Sequence, residues 1–294
     1  MLVFIIGLAV IAALIIYSLI ENCFIKTVHY HMCISNSGNV AIYSGIQDDV
    51  KQLISIVQLS DLHNCSYGNE NQRLLKKIKS CKPDIILLTG DMINKYQSIP
   101  HAQFLFFEQI AKLCPCIYSF GNHELKQRER YPKCFEEYIE KIKKYGIIIA
   151  DNEMNRFVIN GISCCVAAYS SDLSLYKKSC LKSSNQLSDV GTLPECDNSS
   201  IGILLSHDPD LAELYKASNY PLVFSGHLHG GIVRVPGYRG VISTRFVLFP
   251  KYDGGCYQLD CKHVMVVSRG LGSHTIKFRL FNRPELVHTT VNKY

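Results

Sequence analysis

"LISIVQLSDLH" (Leu53–His63) decides the fold. Its first part, LISIVQLS, is short, apolar and rich in β-branched residues, which reads as a strand buried on both faces. It stops abruptly at an aspartate and a histidine. Four other runs share this form. DIILLTG (84–90) leads to Asp91, and CIYSFG (116–121) leads to Asn122, His123 and Glu124. IGILLS (201–206) leads to His207 and Asp208, and PLVFSG (221–226) leads to His227, Leu228 and His229.

Helical patterns separate the first of these strands. NQRLLKKIKS (71–80) places Leu74, Leu75 and Ile78 on one face. HAQFLFFEQIAKL (101–113) reads as a helix, and KCFEEYIEKIKKYG (133–146) as an amphipathic one stopping at Gly146. With IIIAD (147–151) as a further strand, residues 51–150 alternate strand and helix, the pattern of an α/β sandwich with helices over a sheet. The second half is richer in strands. RFVINGISCCVAAY (156–169) reads as a hairpin turning at Asn160-Gly161. PDLAELYKAS (209–218) reads as a helix, and HVMVVSRG, TIKFRLF and ELVHTTV are strand candidates in the tail. Residues 170–200 are polar and poorly periodic, and read as a surface insertion with a short helix around Leu173–Leu181. Residues 21–50 read as a polar linker with scattered β-type stretches, so the catalytic-sized domain is expected over 51–294.

Composition narrows the class. The 294 residues are 47% apolar and 19% charged, enough to bury a large core, with a formal charge of +6. No Lys/Arg block marks a nucleic-acid binder, so no nucleic acid partner is expected. Thirteen irregularly spaced cysteines without a C-x-x-C do not form a disulfide framework. They read as buried or free thiols in a reducing compartment, with zinc or redox use the alternative.

The first twenty residues, MLVFIIGLAVIAALIIYSLI, carry no charged side chain and are long enough to cross a bilayer. An uncleaved transmembrane anchor is the expectation. A cleaved export signal and a buried core helix are the alternatives, although the basic start of a signal is missing. Lys26 alone follows closely, so charge sets the orientation weakly. The cytoplasmic face is favoured, with the side left open.

The polar strand ends have ordinary readings when taken singly. Asp61 and Asp91 suit helix N-caps, Asn122 suits a turn, and His207 suits a cap or a satisfied core position. Taken together, they fall where ligands bind in α/β sheets, outside the carboxyl ends of the strands. Carboxylate oxygens and imidazole nitrogens without cysteine suit Mn, Fe, Zn or Co rather than a structural zinc. Two such ions roughly 3.5–4 Å apart can share a carboxylate and a hydroxide and clamp an in-line displacement. No G-x-S-x-G supplies a serine nucleophile instead.

SDLH, TGD, FGNHE, LSHDPD and SGHLHGG, in this order, resemble the five blocks of the calcineurin-like metallophosphoesterases. The chain is similar to their membrane-anchored bacterial phosphodiesterase branch, which includes UDP-2,3-diacylglucosamine hydrolases. The resemblance implies a four-layer sandwich of two mixed β-sheets flanked by helices, following an N-terminal transmembrane helix. It implies two divalent metal ions, the first held by Asp61, His63 and His229 and the second by Asn122, His207 and His227, with Asp91 between them. His123 would act on the phosphoryl oxygens or the leaving group, and Glu124 would orient a neighbour. Gly90, Gly121 and Gly226 would let the backbone pass close to the metals. Ile232 follows HGG where this branch often has a polar residue, and the 170–200 insertion lacks an acidic pair. The expected reaction is hydrolysis of a phosphodiester or pyrophosphate bond by a metal-bridging hydroxide, on a substrate that the anchor suggests is lipid-linked. The alternative is a non-catalytic scaffold of the same fold that binds a protein partner at the membrane.

Overall fold

The computed structural model describes residues 1–294 except 36, 44–51, 97, 177–192, 197–199, 244, 246, 274–277 and 294. The chain opens with helix α1 (Leu2–Asn22), then β1 (Lys26–Ile34), β2 (Val40–Tyr43) and β3 (Gln52–Leu59). Helix α2 (Gln72–Ser80), β4 (Ile85–Thr89), α3 (His101–Ala111) and β5 (Cys116–Ser119) follow. Next come α4 (Asn122–Arg130), α5 (Pro132–Lys144), β6 (Ile148–Ile149) and the hairpin β7 (Met154–Ile159) and β8 (Ile162–Tyr169). The remainder is β9 (Ile201–Ser206), α6 (Ala212–Lys216), β10 (Leu222–Ser225), β11 (Gly255–Gln258), β12 (Val264–Val267) and β13 (Glu285–Lys293).

Two mixed sheets result. The first has seven strands in the order β2-β1-β13-β3-β4-β5-β6, and the second has six in the order β11-β12-β10-β9-β8-β7. Their layering follows from side-chain alternation along each buried strand. In β3, Ile54 and Ile56 join β4's Ile85 and Leu87 in a core shared with Val166, Leu205 and Phe224 of the second sheet. Val57 and Leu59 fall on the opposite face, packed with Leu74, Phe107 and Tyr138 of the helices. The second sheet alternates likewise: Leu204, Val223 and Met265 turn outward to Tyr215 of α6. Helices, sheet, sheet and helix are the four expected layers. Each fully buried aliphatic side chain contributes ~1.5–3 kcal/mol, so this alternation is the main source of stability. Gln58 crosses between the sheets near their edge, donating to Thr89 Oγ1 (2.9 Å) and to Ser225 O (2.8 Å).

Several sequence expectations change. The linker expected over 21–50 is corrected, because β1 lies in the first sheet, paired in parallel with β13 from Lys26–Glu285 to Ile34–Lys293. In its His-Tyr-His centre His29 is exposed and Tyr30 and His31 are half buried, and full burial is confined to Met32, Cys33 and Ile34, so it lacks the continuous apolar run of the central strands. Helix α4 went unforeseen because NHELKQRER has no apolar stripe. PDLAELYKAS forms a 3₁₀ turn at Pro209–Leu211 before the short α6. TIKFRLF lies partly outside the described residues; in it Leu280 makes a single bridge to Val233. In the insertion, Leu173–Tyr176 forms a 3₁₀ turn, and most of the remainder lies outside the described residues. The hairpin turn is as expected, with Asn160 and Gly161 both at positive φ.

Helix α1 has 21 residues and spans roughly 31 Å at the standard rise, long and apolar enough to cross a bilayer. An export signal has the same form. It is not the buried core helix that was the third alternative: only Ser18 and Glu21 are buried. It touches the domain through its last turns, where Tyr17 lies 5.3 Å from the Phe281 ring and Ser18 Oγ accepts from Arg279 N (2.9 Å).

Candidate metal centre

Strands β3, β4 and β5 run parallel in one sheet, and β9 and β10 run parallel in the other. Their carboxyl ends meet at one edge of the sandwich. The chain turns sharply as it leaves them. Asp61, His63, Asp91, His227 and His229 all have left-handed backbones, with φ from 49° to 73°. That conformation costs an L-residue ~1–2 kcal/mol, and aspartate and histidine tolerate it better than most. Strain of this kind collects at functional sites.

The turns bring the expected residues together. Asp61, His63 and His229 form one group whose ligand atoms all lie within 4.8 Å of one another. Asp91, His207 and His227 form a second, and Asp91, His63 and His123 a third. Asp61 Oδ1 stands 3.1 Å from His229 Nε2 and 3.8 Å from His207 Nε2. Asp91 Oδ2 stands 3.3 Å from His207 Nε2 and 3.8 Å from His63 Nε2. The Nε2 atoms of His63 and His229 are 3.1 Å apart in stacked rings. All of these side chains are buried.

The donor set fits divalent metal ions. His207 Nδ1 donates to Thr89 O (2.7 Å) and His229 Nδ1 to Gly272 O (3.1 Å), which turns each Nε2 toward the carboxylates. A carbonyl partner behind the ring is the usual support of a metal-ligating histidine. Asn122 Oδ1 is buried without a hydrogen-bond partner among the described residues, an expensive arrangement for an amide oxygen unless it faces a cation. Burial depresses His63, and burial together with the Arg245 guanidinium depresses His227, so both rings are neutral. Burial raises Asp61, but His229 and His207 outweigh it and hold the carboxylate ionised. Burial likewise opposes ionisation of Asp91, and His207 and His123 overcome it. His207 is opposed by burial yet raised to about 10 by Asp91 and Asp61, so the two carboxylates draw positive charge to its Nε2, which a metal ion would supply in place of the proton.

His123 opens α4 beside this cluster. Its backbone N–H donates to Asp91 Oδ1 (2.8 Å), and its Nδ1 accepts from Lys95 N (3.1 Å). A backbone amide can only donate, so a neutral His123 carries its proton on Nε2. Glu124 lies behind the centre. It accepts from the backbone N–H groups of Asp91 (2.8 Å), Ile93 (3.1 Å) and Gly121 (2.9 Å), and from Tyr118 Oη (2.6 Å). Burial and Asp91 push its carboxyl up to about 7, while these four donors favour the ionised form. Glu124 therefore fixes the loop that carries Asp91.

Two glycines make room for the carboxylates. A Cβ at Gly121 would collide with Asp91 Oδ1, and one at Gly226 with Ser60 Oγ and, at 2.5 Å, Asp61 Oδ2. Gly90 similarly passes close to His207 Nδ1.

Sequence reading missed Arg245, Tyr176 and Arg279. Arg245 donates from Nε to His227 Nε2 (2.8 Å), from Nη2 to Asp208 (2.6 Å) and from Nη1 to Asp210 (2.8 Å). The Tyr176 ring packs 5.1 Å from His227. Arg279 Nη2 donates to Gly272 O (2.7 Å), the carbonyl that supports His229. None of the three sits at a strand end; Asp208 and Asp210, in the same turn as His207, were the available hint that a buried cation faces it.

Residues 54–231 match the family described as Calcineurin-like phosphoesterase. Over 249 residues the chain is 30% identical to an uncharacterized metallophosphoesterase of Bacillus subtilis (strain 168), YkuE, covering 80% of this chain and 78% of that one. Phosphodiesterase YaeI of Escherichia coli (strain K12) is 26% identical over 208 residues, covering 70% of this chain and 69% of its own. Among solved structures, phosphopantetheinyl hydrolase of Mycobacterium tuberculosis aligns with a TM-score of 0.43 at 13% identity, over 74% of this chain and 89% of that one. The family match takes in more than half of the chain and all five polar strand ends, and with it the chain belongs to the calcineurin-like phosphoesterases and is a metallophosphoesterase.

Proposed function

We propose that the centre holds two divalent metal ions and hydrolyses a phosphodiester or pyrophosphate bond. The observation that carries this reading is Asp91, whose Oδ2 stands 3.3 Å from His207 of one ligand group and 3.8 Å from His63 of another, and so can lie between two ions. Asp61, His63 and His229 hold one ion; Asn122, His207 and His227 hold the other. Mn, Fe, Zn or Co suits this mixture of oxygen and nitrogen donors. When bound, such a pair supplies Lewis acidity and a water activated at neutral pH.

The remaining chemistry belongs to the chain. Lys95 N fixes the His123 tautomer that donates from Nε2, directed at a non-bridging phosphoryl oxygen or the departing oxygen. Water oxygen bonds to phosphorus, the bond to the leaving oxygen breaks, and the proton released by the water goes to that oxygen, while His123 keeps its Nε2 proton and donates a hydrogen bond to the developing charge. Glu124 holds the Asp91 loop and Arg245 holds His227, so neither ligand has to be reorganised when substrate arrives. With the ligand set complete and His123 present, nothing favours a non-catalytic scaffold. The N-terminal helix supports a lipid-linked or envelope substrate, since a tethered site meets membrane substrates at high effective concentration.

The full chain in detergent, loaded with Mn²⁺ and given bis-p-nitrophenyl phosphate, is expected to release nitrophenol. Asp91→Ala should abolish this, and chelator should stop it reversibly. A wild-type chain inert with every divalent metal, on diesters and monoesters alike, would refute the reading.

A further inference from the structure

Beyond the histidine pair, the chain leaves the centre and builds a small apron. Val233 bridges Leu280 in parallel, and Arg234 N donates to Leu280 O (3.0 Å). The chain then folds back twice. Val241 N donates to Val233 O (2.7 Å) and Phe249 N to Val241 O (2.9 Å), so these segments lie side by side. Between Ser243 and Val247, joined by a backbone hydrogen bond of 2.9 Å, Arg245 reaches back to His227. The apron therefore borders the metal centre directly.

Among the described residues, its exposed side chains from Val233 to Phe249 are mostly apolar. Tyr238 is 68% exposed, Leu248 64% and Phe249 51%, with Val235, Val247 and Phe281 also exposed. Outside α1, the other exposed large apolar side chains among the described residues are Phe24, Tyr96, Tyr131 and Val158. Scattered singles need no explanation, but a concentration on one hydrogen-bonded unit marks a contact surface.

Helix α1 shows what covers it. The last turns of the helix dock on the apron's edge, with Tyr17 against Phe281 and Ser18 Oγ bonded to Arg279 N. Phe24, exposed, follows the helix immediately. A helix that enters a bilayer from this edge places the apron beside the headgroup layer. The apron's composition suits that layer, where aromatic rings and basic side chains gather. Arg239 lies 5.3 Å over the Tyr238 ring and Lys251 4.8 Å over Tyr252, both cations able to meet anionic headgroups.

We infer that the apron is a second membrane contact. Tyr238, Leu248 and Phe249 enter the interfacial layer of the bilayer that α1 crosses, and the metal centre opens toward phosphoesters carried on amphiphiles in that layer. The inference rests on α1 being retained as an anchor.

The chain has no tryptophan, so a single introduced one reports its own surroundings. The full chain is reconstituted in vesicles of phosphatidylcholine and phosphatidylglycerol with brominated phosphatidylcholine as quencher. Tyr238→Trp, Leu248→Trp and Phe249→Trp are compared with Leu8→Trp in α1 and Val158→Trp on β7, at the far edge of the second sheet. The expected result is blue-shifted, strongly quenched emission from the three apron variants and from Leu8→Trp, with Val158→Trp unquenched. Using three positions guards against one misfolded variant, and each is checked for a wild-type unfolding midpoint. Apron tryptophans as unquenched as Val158→Trp, beside a quenched Leu8→Trp, overturn the second contact while leaving the anchor. An unquenched Leu8→Trp overturns both.

Discussion

The backbone N–H of Lys95 points at His123 Nδ1 across 3.1 Å, and that one contact assigns the imidazole's proton to Nε2. His123 is thereby a donor from Nε2 and joins the centre without having to be a ligand. Truncating it to alanine should lower turnover ~10²–10³-fold, the usual range for removing one positioned hydrogen-bond donor to developing charge. Bound metal and unfolding midpoint should stay near wild type. Metal content measured by mass spectrometry separates the outcomes: loss of an ion in His123→Ala would make His123 a ligand, as its grouping with His63 and Asp91 also permits.

Arg245 joins a buried carboxylate, Asp208, to a candidate metal ligand, His227. Removing one partner of a buried ion pair strands the other and costs ~3–5 kcal/mol. Arg245→Ala should therefore lower the thermal midpoint markedly and weaken metal binding, with Arg245→Lys intermediate because lysine lacks the planar fork. Unchanged metal affinity by calorimetry in a folded Arg245→Ala would show that His227 needs no such support.

Away from the centre, His288 sits across from His29, with Nδ1 atoms 3.0 Å apart, and its Nε2 is hydrogen-bonded with Ser55 Oγ (2.9 Å). Burial, then the neighbouring His29 and His31, lowers it from 6.5 to about 4. The folded chain thus resists a proton that the unfolded chain accepts. Stability from this group is complete above pH 6.5 and is lost as pH falls toward 4. Relative to wild type, His288→Gln should lose less stability on acidification through this window, as read by denaturant midpoints. Parallel pH profiles for the two proteins would contradict the assignment.

Much of this arrangement was legible in the sequence because the central strands are buried on both faces. Ile54 to Leu59 could be nothing but strand, and the abrupt Asp61-Leu62-His63 after it had to fall at a sheet edge. The less legible parts are those whose partners are distant. β1 is half buried and joins the sheet by pairing with β13, more than two hundred residues later, a register no local pattern reveals. α4 begins at Asn122 because Glu124 accepts the backbone N–H groups of Gly121 and Asp91, not because of any apolar stripe. Arg245 and Arg279 reach the histidines from loops without periodicity, and only the folded chain brings them there.

The central claim is that Asp91 lies between two metal ions. Electron paramagnetic resonance of the full chain loaded with Mn²⁺ tests it most directly, read together with the metal count per chain. The account predicts two ions per chain with the multiline spectrum of an exchange-coupled pair, and loss of that coupling in Asp91→Ala. One ion per chain, or two giving the spectrum of isolated Mn²⁺, would contradict it.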